Sequence, residues 1–214
     1  MTLEDLTRKK ERRSAERAEL DRLLDEVLVG TVATVSDEGE PWVVPMLVAR
    51  HGDRVLLHGS TGAGALRRVA AGAPAALCVY AVDGLVLASS MFDHSANYRS
   101  AVVRGTLTRL EGQEAWDALD AVSDSLVPGR RAEVRPMLGK EVAATVALAI
   151  DLTDDNWILK VRSGGTGEEA ADVPDDVWTG VLPVRTSYGE PEPSPWQSDD
   201  LPVPPSVVAL RERR

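Results

Sequence analysis

The chain has 214 residues, of which 43% are hydrophobic and 27% are charged, and its formal net charge is −10. This length and composition allow one domain with a proper core, and the acidic balance excludes a general nucleic-acid binder, which would present a basic face. The single cysteine, Cys78, excludes an internal disulfide framework and favours a buried strand cysteine in a reducing compartment. The chain opens without an apolar signal core, and no window approaches the roughly 18 apolar residues of a membrane span. We therefore expect a soluble, cytoplasmic protein.

The first half of the chain predicts one helix followed by short strands. Residues 1–28 predict a charged helix that docks only through its last turns, because leucines recur at helical spacing there alone. Short β-branched segments separated by turn-forming residues predict antiparallel strands at 31–35, 42–50, 54–58 and 100–110. Asp83 and Gly84 lie between two apolar runs and predict a type I′ hairpin, since that turn needs positive φ at both central residues.

The second half predicts mixed elements and a tail. They are helices at 111–129 and 138–144, two further strands up to residue 162, an acidic loop from Ser163, and a last helix and strand within 177–190. We divide the chain into an N-terminal helix packed on a barrel (1–28), the barrel domain (29–190) and an extended tail (191–214). Six to eight short strands with peripheral helices predict a mainly β fold, an antiparallel barrel that is closed or nearly closed.

The segment HGSTGAGALRRVAAG (58–72) predicts an anion site. It places a Gly-rich turn between the end of a strand and the start of a helix, where free amides and the helix dipole favour an anion. The side chains that add donors or positive charge are those of Ser60, Thr61, Arg67 and Arg68. A phosphate monoester suits this set, although the segment matches neither a Walker nor a Rossmann fingerprint. An ordinary capped turn is the alternative.

The three histidines, His51, His58 and His94, are too few for a His-rich zinc site, and we predict no such site. A haem needs as few as one axial histidine, so this count leaves a haem open. For His58, at the end of a strand, a neutral imidazole with a local hydrogen bond is the alternative.

Polar, aromatic and charged residues crowd into DHSANYRS (93–100), which predicts a loop leading into a strand. Alternation along that strand sends Arg99 and Ser100 to opposite faces. A loop that caps itself is the structural alternative, and no nucleophile elbow indicates a hydrolase.

The chain resembles the pyridoxamine 5′-phosphate oxidase-like, FMN-binding split-barrel proteins, and among them the flavin-nucleotide-binding branch related to nitroimidazole-resistance proteins. The resemblance covers residues 20 to 205 and rests on VGTVATVSDEGEPWVVPM, DRVLLHGS, VDGLVLASS, HSANYRSAVVRG, GRRAEVRP, KVRSG and VWTGVLPV, in this order. It implies a split β-barrel of six or more antiparallel strands and a homodimer with two flavin sites at the subunit interface. It also implies FMN-dependent oxidoreductase activity on a small heteroaromatic or amine-bearing molecule.

The same resemblance implies the residues of the flavin site, though no catalytic residue. FMN would contact Val43, Val44, Pro45 and Met46, and its phosphate would be held by His58, Gly59, Ser60, Thr61 and Arg67 or Arg68. Tyr98, Arg99 and Ser100 would complete the site, with Trp178 and Arg185 from the partner subunit. Ser89 and Asp93 depart from the family pattern, which has an arginine and a histidine there.

Two alternatives stay open. Split-barrel relatives include haem-binding members, so that His58 or His94 would ligate a haem iron for redox chemistry on a nitrogen-containing small molecule. A flavin or haem carrier without turnover is the other alternative.

Overall fold

The computed structural model of the protein describes residues 10–14, 16–36, 38–62, 64–198 and 200–212, without the side chains of Lys10, Gly64, Ala65, Arg67 and Ala170. The strands are β1 (Arg13–Ser14), β2 (Val29–Val35), β3 (Pro41–His51), β4 (Arg54–Ser60), β5 (Pro74–Leu87), β6 (Ser95–Thr106), β7 (Thr108–Leu110), β8 (Thr145–Asp151), β9 (Trp157–Arg162) and β10 (Gly180–Pro183). The helices are α1 (Arg17–Glu26), α2 (Gly64–Ala70), α3 (Gly112–Leu126), α4 (Gly139–Ala143) and α5 (Pro205–Glu212). The fold is mainly β, as the sequence predicted.

The strands pair antiparallel in the order β1-β9-β6-β5-β2-β3-β4-β8-β7, and β10 pairs with β5. Strand β3 joins the part of the sheet that contains β2 to the part that contains β4. Its first part pairs with β2, whereas residues 48–51 pair with β4. Because β3 and β4 separate beyond the pair Val48–Leu57, the sheet forms a split β-barrel, which confirms the predicted fold class.

The barrel core is built mainly from valine and leucine, as the composition predicted. Alternation sends Val32, Leu57, Leu77, Val103 and Leu159 into one buried cluster. The last turns of α1 add Leu20, Leu23 and Leu24 to it, each at most 1% exposed. Helix α3 packs Ala115, Leu119 and Val122 against the other face of β4 and β8.

The predicted helix over 1–28 is wrong for residues 10–14, and residues 1–9 lie outside the described part of the chain. Residues 10–12 form a 3₁₀ turn, and β1 then pairs with β9, with Arg13 opposite Lys160. The apolar stripe that packs a helix on the barrel begins only near Leu20, so the charged stretch before it has no face to bury. The backbone of β1 satisfies its hydrogen bonds on the edge of β9 instead.

The hairpin predicted at Asp83-Gly84 is also wrong. Strand β5 runs through this dipeptide, with a register shift against β6 between Val82 and Gly84. The chain turns later, at residues 88–94. Gly84 serves a close approach of β10, because a Cβ there would lie 3.1 Å from the carbonyl oxygen of Leu182.

Three smaller expectations need correction. The predicted loop at 93–100 is mostly strand, since β6 begins at Ser95 and pairs with β5 from its first residue. The segment 177–190 contains β10 without the helix predicted beside it. The predicted extended tail ends in α5. The helices predicted at 111–129 and 138–144 are confirmed as α3 and α4, and the division into three domains stays a prediction.

Candidate functional site

One face of the barrel presents apolar side chains to solvent. We call it the outer sheet face: the outward side chains of β2, β3, β5 and β6, among them Val29, Val43, Tyr80 and Val82, which are 52%, 60%, 64% and 42% exposed. The face continues across four strands, because Pro45 lies opposite Thr31, Thr31 opposite Cys78 and Cys78 opposite Val102.

The candidate flavin residues of β3 and β6 divide between this face and the core. Val43 and Pro45 point outward, whereas Val44 and Met46 are partly buried against the core cluster. On β6, Tyr98 and Ser100 lie opposite Val82 and Tyr80 on the outer sheet face, whereas Arg99 between them points to the other side of the strand. The structure therefore brings two of the four β3 candidates and two of the three β6 candidates to one surface.

Cys78 lies half-buried in the middle of the outer sheet face, in β5 as the sequence predicted. Burial raises the pKa of its thiol. The thiol therefore stays protonated at neutral pH, which is the form of an unreactive strand cysteine.

His58 lies on the part of β4 that has left β3, opposite Ala147 of β8. It is half-buried, and burial lowers its pKa, so the imidazole is neutral at pH 7. Its Nδ1 atom is buried and has no hydrogen-bond partner among the described residues. A neutral imidazole with an unpaired ring nitrogen is the form that binds a metal or accepts a hydrogen bond.

The turn after His58 packs tightly on the helix that follows. A Cβ at Gly59 would lie 2.2 Å from Leu66 Cδ1, so glycine lets α2 pack against β4. Hydrogen bonds within the chain already occupy some of the donors of the expected anion site. The Gly62 amide donates to Ser60 Oγ at 3.2 Å, and the Thr61 amide donates to the carbonyl oxygen of Ala144 at 3.2 Å.

The two arginines of this segment differ in what the structure shows. Arg68 Nε donates to the carbonyl oxygen of Val35 at 3.0 Å. The backbone of Arg67 lies in α2, and its side chain is outside the described part of the structure. The assignment of Ser60, Thr61 and these arginines to a phosphate stays a prediction.

Arg99 is turned away from the outer sheet face. It alternates with Tyr98 and Ser100 along β6 and shares its side of the strand with Ala101, which is buried in the core. Its guanidinium donates to the carboxylates of Asp83 and Glu26 at distances from 2.6 to 3.3 Å. These hydrogen bonds raise the pKa of Arg99.

Trp178 and Arg185 flank β10, far from His58 in the order of strands. β10 pairs with residues 84–87 of β5, whereas β2 and β3 stand between β5 and β4. Trp178 is 67% exposed, and its ring lies over Gly180, where a Cβ would come within 2.9 Å of Cζ2. Arg185 is exposed. Sheet pairing within one chain does not join these residues to the segment 58–61.

Sequence reasoning missed a polar cluster between the β5–β6 hairpin and the acidic loop. Asn97 is 8% exposed; its amide donates to the carbonyl oxygen of Gly164 at 3.0 Å and its oxygen accepts from Arg162 at 2.6 Å. Glu168 accepts hydrogen bonds from the amide and the hydroxyl of Ser89. The only sequence signal for this cluster was the excess of acidic residues after Ser163, and that excess did not indicate which residues they would contact.

Comparison with known proteins decides the family. The profile of the pyridoxamine 5′-phosphate oxidase family matches residues 16–156. The chain belongs to this family. The resemblance found in the sequence is thereby confirmed, and the oxidase-family match covers β2 to β8, which includes every strand around the split.

Solved structures extend the oxidase-family match. The FAD and haem binding protein from Mycobacterium smegmatis is 43% identical with a TM-score of 0.90, and the match covers 94% of this chain and 97% of that one. The flavocytochrome Anf3 from Azotobacter vinelandii is 28% identical with a TM-score of 0.85, over 96% of this chain and 94% of that one. A 5-nitroimidazole antibiotic resistance protein from Bacteroides thetaiotaomicron shares the fold, at 18% identity and a TM-score of 0.56 over 70% and 86% of the two chains.

A comparison with curated proteins finds no match. No helix in the described part of the chain is long and apolar enough to cross a membrane. The described residues also contain no group of three or more His, Cys, Asp and Glu side chains placed to hold a metal ion.

Proposed function

We propose that this protein is a flavin-dependent oxidoreductase that works as a homodimer and also binds haem. The observation that carries the proposal is the 43% identity, over nearly the full length of both chains, to a protein that binds FAD and haem. The similarity to a flavocytochrome supports it. FMN, expected from the sequence, and FAD are the two forms of flavin that the test below distinguishes, and the substrate class stays a small heteroaromatic or amine-bearing molecule.

The outer sheet face supports the homodimer. Val43, Tyr80 and Val82 are between 42% and 64% exposed on one continuous apolar surface, and such surfaces in soluble proteins are commonly covered by a partner. A second copy packed there would also bring its own Trp178 and Arg185 to a site that one chain leaves incomplete.

The split between β3 and β4 fits a flavin. Residues 43–47 of β3 pair with β2 on one side only in the described chain, so their other edge is open to a planar ring that exchanges hydrogen bonds with the backbone. Ser60 Oγ and the start of α2 border the same opening and would hold the phosphate, with Arg68 adding charge. Tyr98 and Ser100 lie on the outer sheet face with β5 and β2 between them and β3, so they would join this site from the partner subunit. Arg99, held by two carboxylates, would not join it. A bound flavin would supply hydride and electron transfer, and these residues would bind and orient it.

His58 fits a haem better than His94 does. Its ring is half-buried and neutral, and Nδ1 has no hydrogen-bond partner among the described residues. His94 is exposed in the turn between β5 and β6. A bound haem would supply one-electron chemistry, and His58 would hold its iron.

The absorbance spectrum of the protein as isolated, and after incubation with FMN, FAD and haem, tests this function. We expect paired near-ultraviolet and blue bands from flavin together with a strong Soret band, and chromatography of the released flavin separates FMN from FAD. His58→Ala should lose the Soret band, and His51→Ala, at an exposed strand end, is the matched control. Loss of the Soret band in His94→Ala alone would show that His94, and not His58, is the haem ligand. A protein that takes up neither cofactor would refute the proposal.

A further inference from the structure

We propose that Arg99 is a positioning residue that fixes β10, and with it Trp178 and Arg185, rather than a ligand of the flavin. The proposal concerns the cluster of Arg99, Asp83 and Glu26, which we call the Arg99 cluster. The proposed effect of Arg99 on β10 can be measured in the protein without added cofactor. Only its consequence for flavin binding rests on the proposed function.

The guanidinium of Arg99 donates hydrogen bonds to both carboxylates. Nε and Nη2 donate to Asp83 Oδ2 and Oδ1 at 3.0 and 2.6 Å. Nη1 and Nη2 donate to Glu26 Oε2 and Oε1 at 2.6 and 2.9 Å. Both contacts are bidentate, which is the strongest geometry for this ion pair. Only one of the five N–H donors of an arginine is left for another acceptor.

Asp83 connects Arg99 to the end of β10. It is the extra residue of β5 at the register shift between Val82 and Gly84. Its carboxylate receives Arg99, and its carbonyl oxygen accepts the amide of Val184 at 3.1 Å, directly after the end of β10. One residue therefore links the side-chain cluster to the backbone of the C-terminal segment.

The bulge sets the register of the pairing that follows it. Gly84 lies opposite Pro183, and Gly180 lies opposite Leu87. A β-bulge adds one residue to one strand, so its loss shifts every later pair by one and exchanges the two faces of the strand. A relaxed bulge would thus change which backbone groups of residues 84–87 are turned toward β10.

Charge makes Arg99 necessary for the bulge. One guanidinium stands between two carboxylates from separate elements, the end of α1 and the middle of β5. Without it, Asp83 and Glu26 repel each other, and the carboxylate of Asp83 is driven away from the barrel end. The pKa of Arg99 is raised by both contacts, so the guanidinium stays charged at neutral pH.

Hydrogen exchange in the protein without added cofactor tests the proposal. We expect Arg99→Leu to accelerate amide exchange in residues 180–187 at least tenfold, while β4 and β8 keep their protection. Arg99→Lys retains the charge without the bidentate geometry and should give an intermediate acceleration. If Arg99→Leu does not fold, amide exchange in residues 180–187 is compared with that in β4 and β8 in the Arg99→Lys and Glu26→Gln variants instead.

Arg50→Leu is the matched control. Arg50 also joins α1 to a strand through a bidentate contact, with Nε and Nη2 at 2.8 and 2.7 Å from the Asp25 carboxylate. It should leave exchange in residues 180–187 unchanged. Equal, uniform acceleration in the Arg99 and Arg50 variants would overturn the proposal, because it would show a general loss of stability only.

Measuring flavin affinity beside hydrogen exchange distinguishes a failure of the positioning role of Arg99 from a failure of the proposed function. Weaker flavin binding in Arg99→Leu with unchanged exchange in residues 180–187 would make Arg99 a direct ligand and overturn the positioning role. Faster exchange there in a protein that binds no flavin even as wild type would support the positioning role and refute the proposed function. Faster exchange together with a weaker flavin affinity supports both.

Discussion

Gly30 shows how closely the barrel core is packed around a single residue. A Cβ at this position of β2 would lie 2.7 Å from Leu77 Cδ1 and 2.9 Å from Val48 Cγ1. On a third side it would lie 3.0 Å from Val79 Cγ1. All three neighbours are buried, so none of them has space to move aside.

We predict that Gly30→Ala lowers the free energy of unfolding by about 1–3 kcal/mol, the usual cost of overpacking a core. Denaturant unfolding measures it. Gly165→Ala is the control, since a Cβ there would meet nothing within 4 Å among the described atoms, and it should be close to neutral. An equally stable Gly30→Ala variant would contradict the packing described for β2.

Glu141 illustrates an electrostatic effect at one exposed residue. Its carboxylate accepts a hydrogen bond from Arg135 Nη2 at 2.6 Å and one from the Leu138 amide at 2.8 Å. The Arg135 contact is the main reason that the pKa of Glu141 falls from 4.5 to about 2.

We predict that this pair stabilises the fold fully above about pH 5 and that its contribution is lost as the pH falls toward 2. The sign follows because the folded-state pKa lies below the unfolded-state value. Glu141→Gln and Arg135→Leu should both flatten the dependence of unfolding free energy on pH in this window. A carboxyl resonance of Glu141 that titrates near pH 4.5 in the folded protein would contradict this.

At the scale of elements, the C-terminal helix is attached through one buried serine. Ser206 is 6% exposed; its amide and hydroxyl donate to the Glu133 carboxylate at 3.0 and 2.5 Å. These contacts, led by the hydroxyl, lower the pKa of Glu133. Arg211 adds an ion pair to Glu190 at 2.6 Å within the same segment. A short helix of low intrinsic stability depends on such contacts.

We predict that Ser206→Ala, which removes the hydroxyl donor, speeds amide exchange in α5 about tenfold and leaves the barrel strands unchanged. Hydrogen exchange followed by mass spectrometry measures the change. Ser187→Ala, at an exposed position of the same segment, should have no such effect. Unchanged exchange in α5 would show that apolar packing, not Ser206, holds the helix.

At the scale of the whole molecule, the apolar side chains of the outer sheet face would form the contact between the two copies of the proposed dimer. Tyr80 is 64% exposed near the centre of this face, so a charge there leaves the core of one chain intact. In the dimer, the same charge would be buried without a partner.

We predict that Tyr80→Asp weakens the dimer by a factor of about 30 or more, as expected for loss of a central aromatic contact. Sedimentation velocity at several concentrations measures the dissociation constant. Val134→Asp, at a 47% exposed apolar residue outside the outer sheet face, is the control and should remain dimeric. A Tyr80→Asp variant as dimeric as the wild type would place the interface elsewhere.

The sequence predicted the elements whose signals are local. The apolar periodicity of residues 111–129 and the β-branched runs around Val32 and Val55 are repeated over many residues, and they gave α3 and the barrel strands correctly. The family resemblance added the split, and the family match confirmed it. The apolar runs on β3 and β5 also contained the outer sheet face, although strand pairing was needed to place them on one surface.

Tertiary structure decided what depends on contacts between distant segments. Asp83-Gly84 has the local signal of a turn, yet in the structure it forms a bulge inside a long strand, where Asp83 contacts Arg99 and Val184. The same contacts pair Arg99, which the resemblance assigns to the cofactor, with two carboxylates at the barrel end. Periodicity and propensity act over neighbouring residues, whereas a bidentate ion pair between residues 26 and 99 depends on how the whole chain packs. For this protein, the sequence alone determined the barrel and its family, and only the packed structure decided which side chains lie together on the outer sheet face, because that depends on the pairing of distant strands.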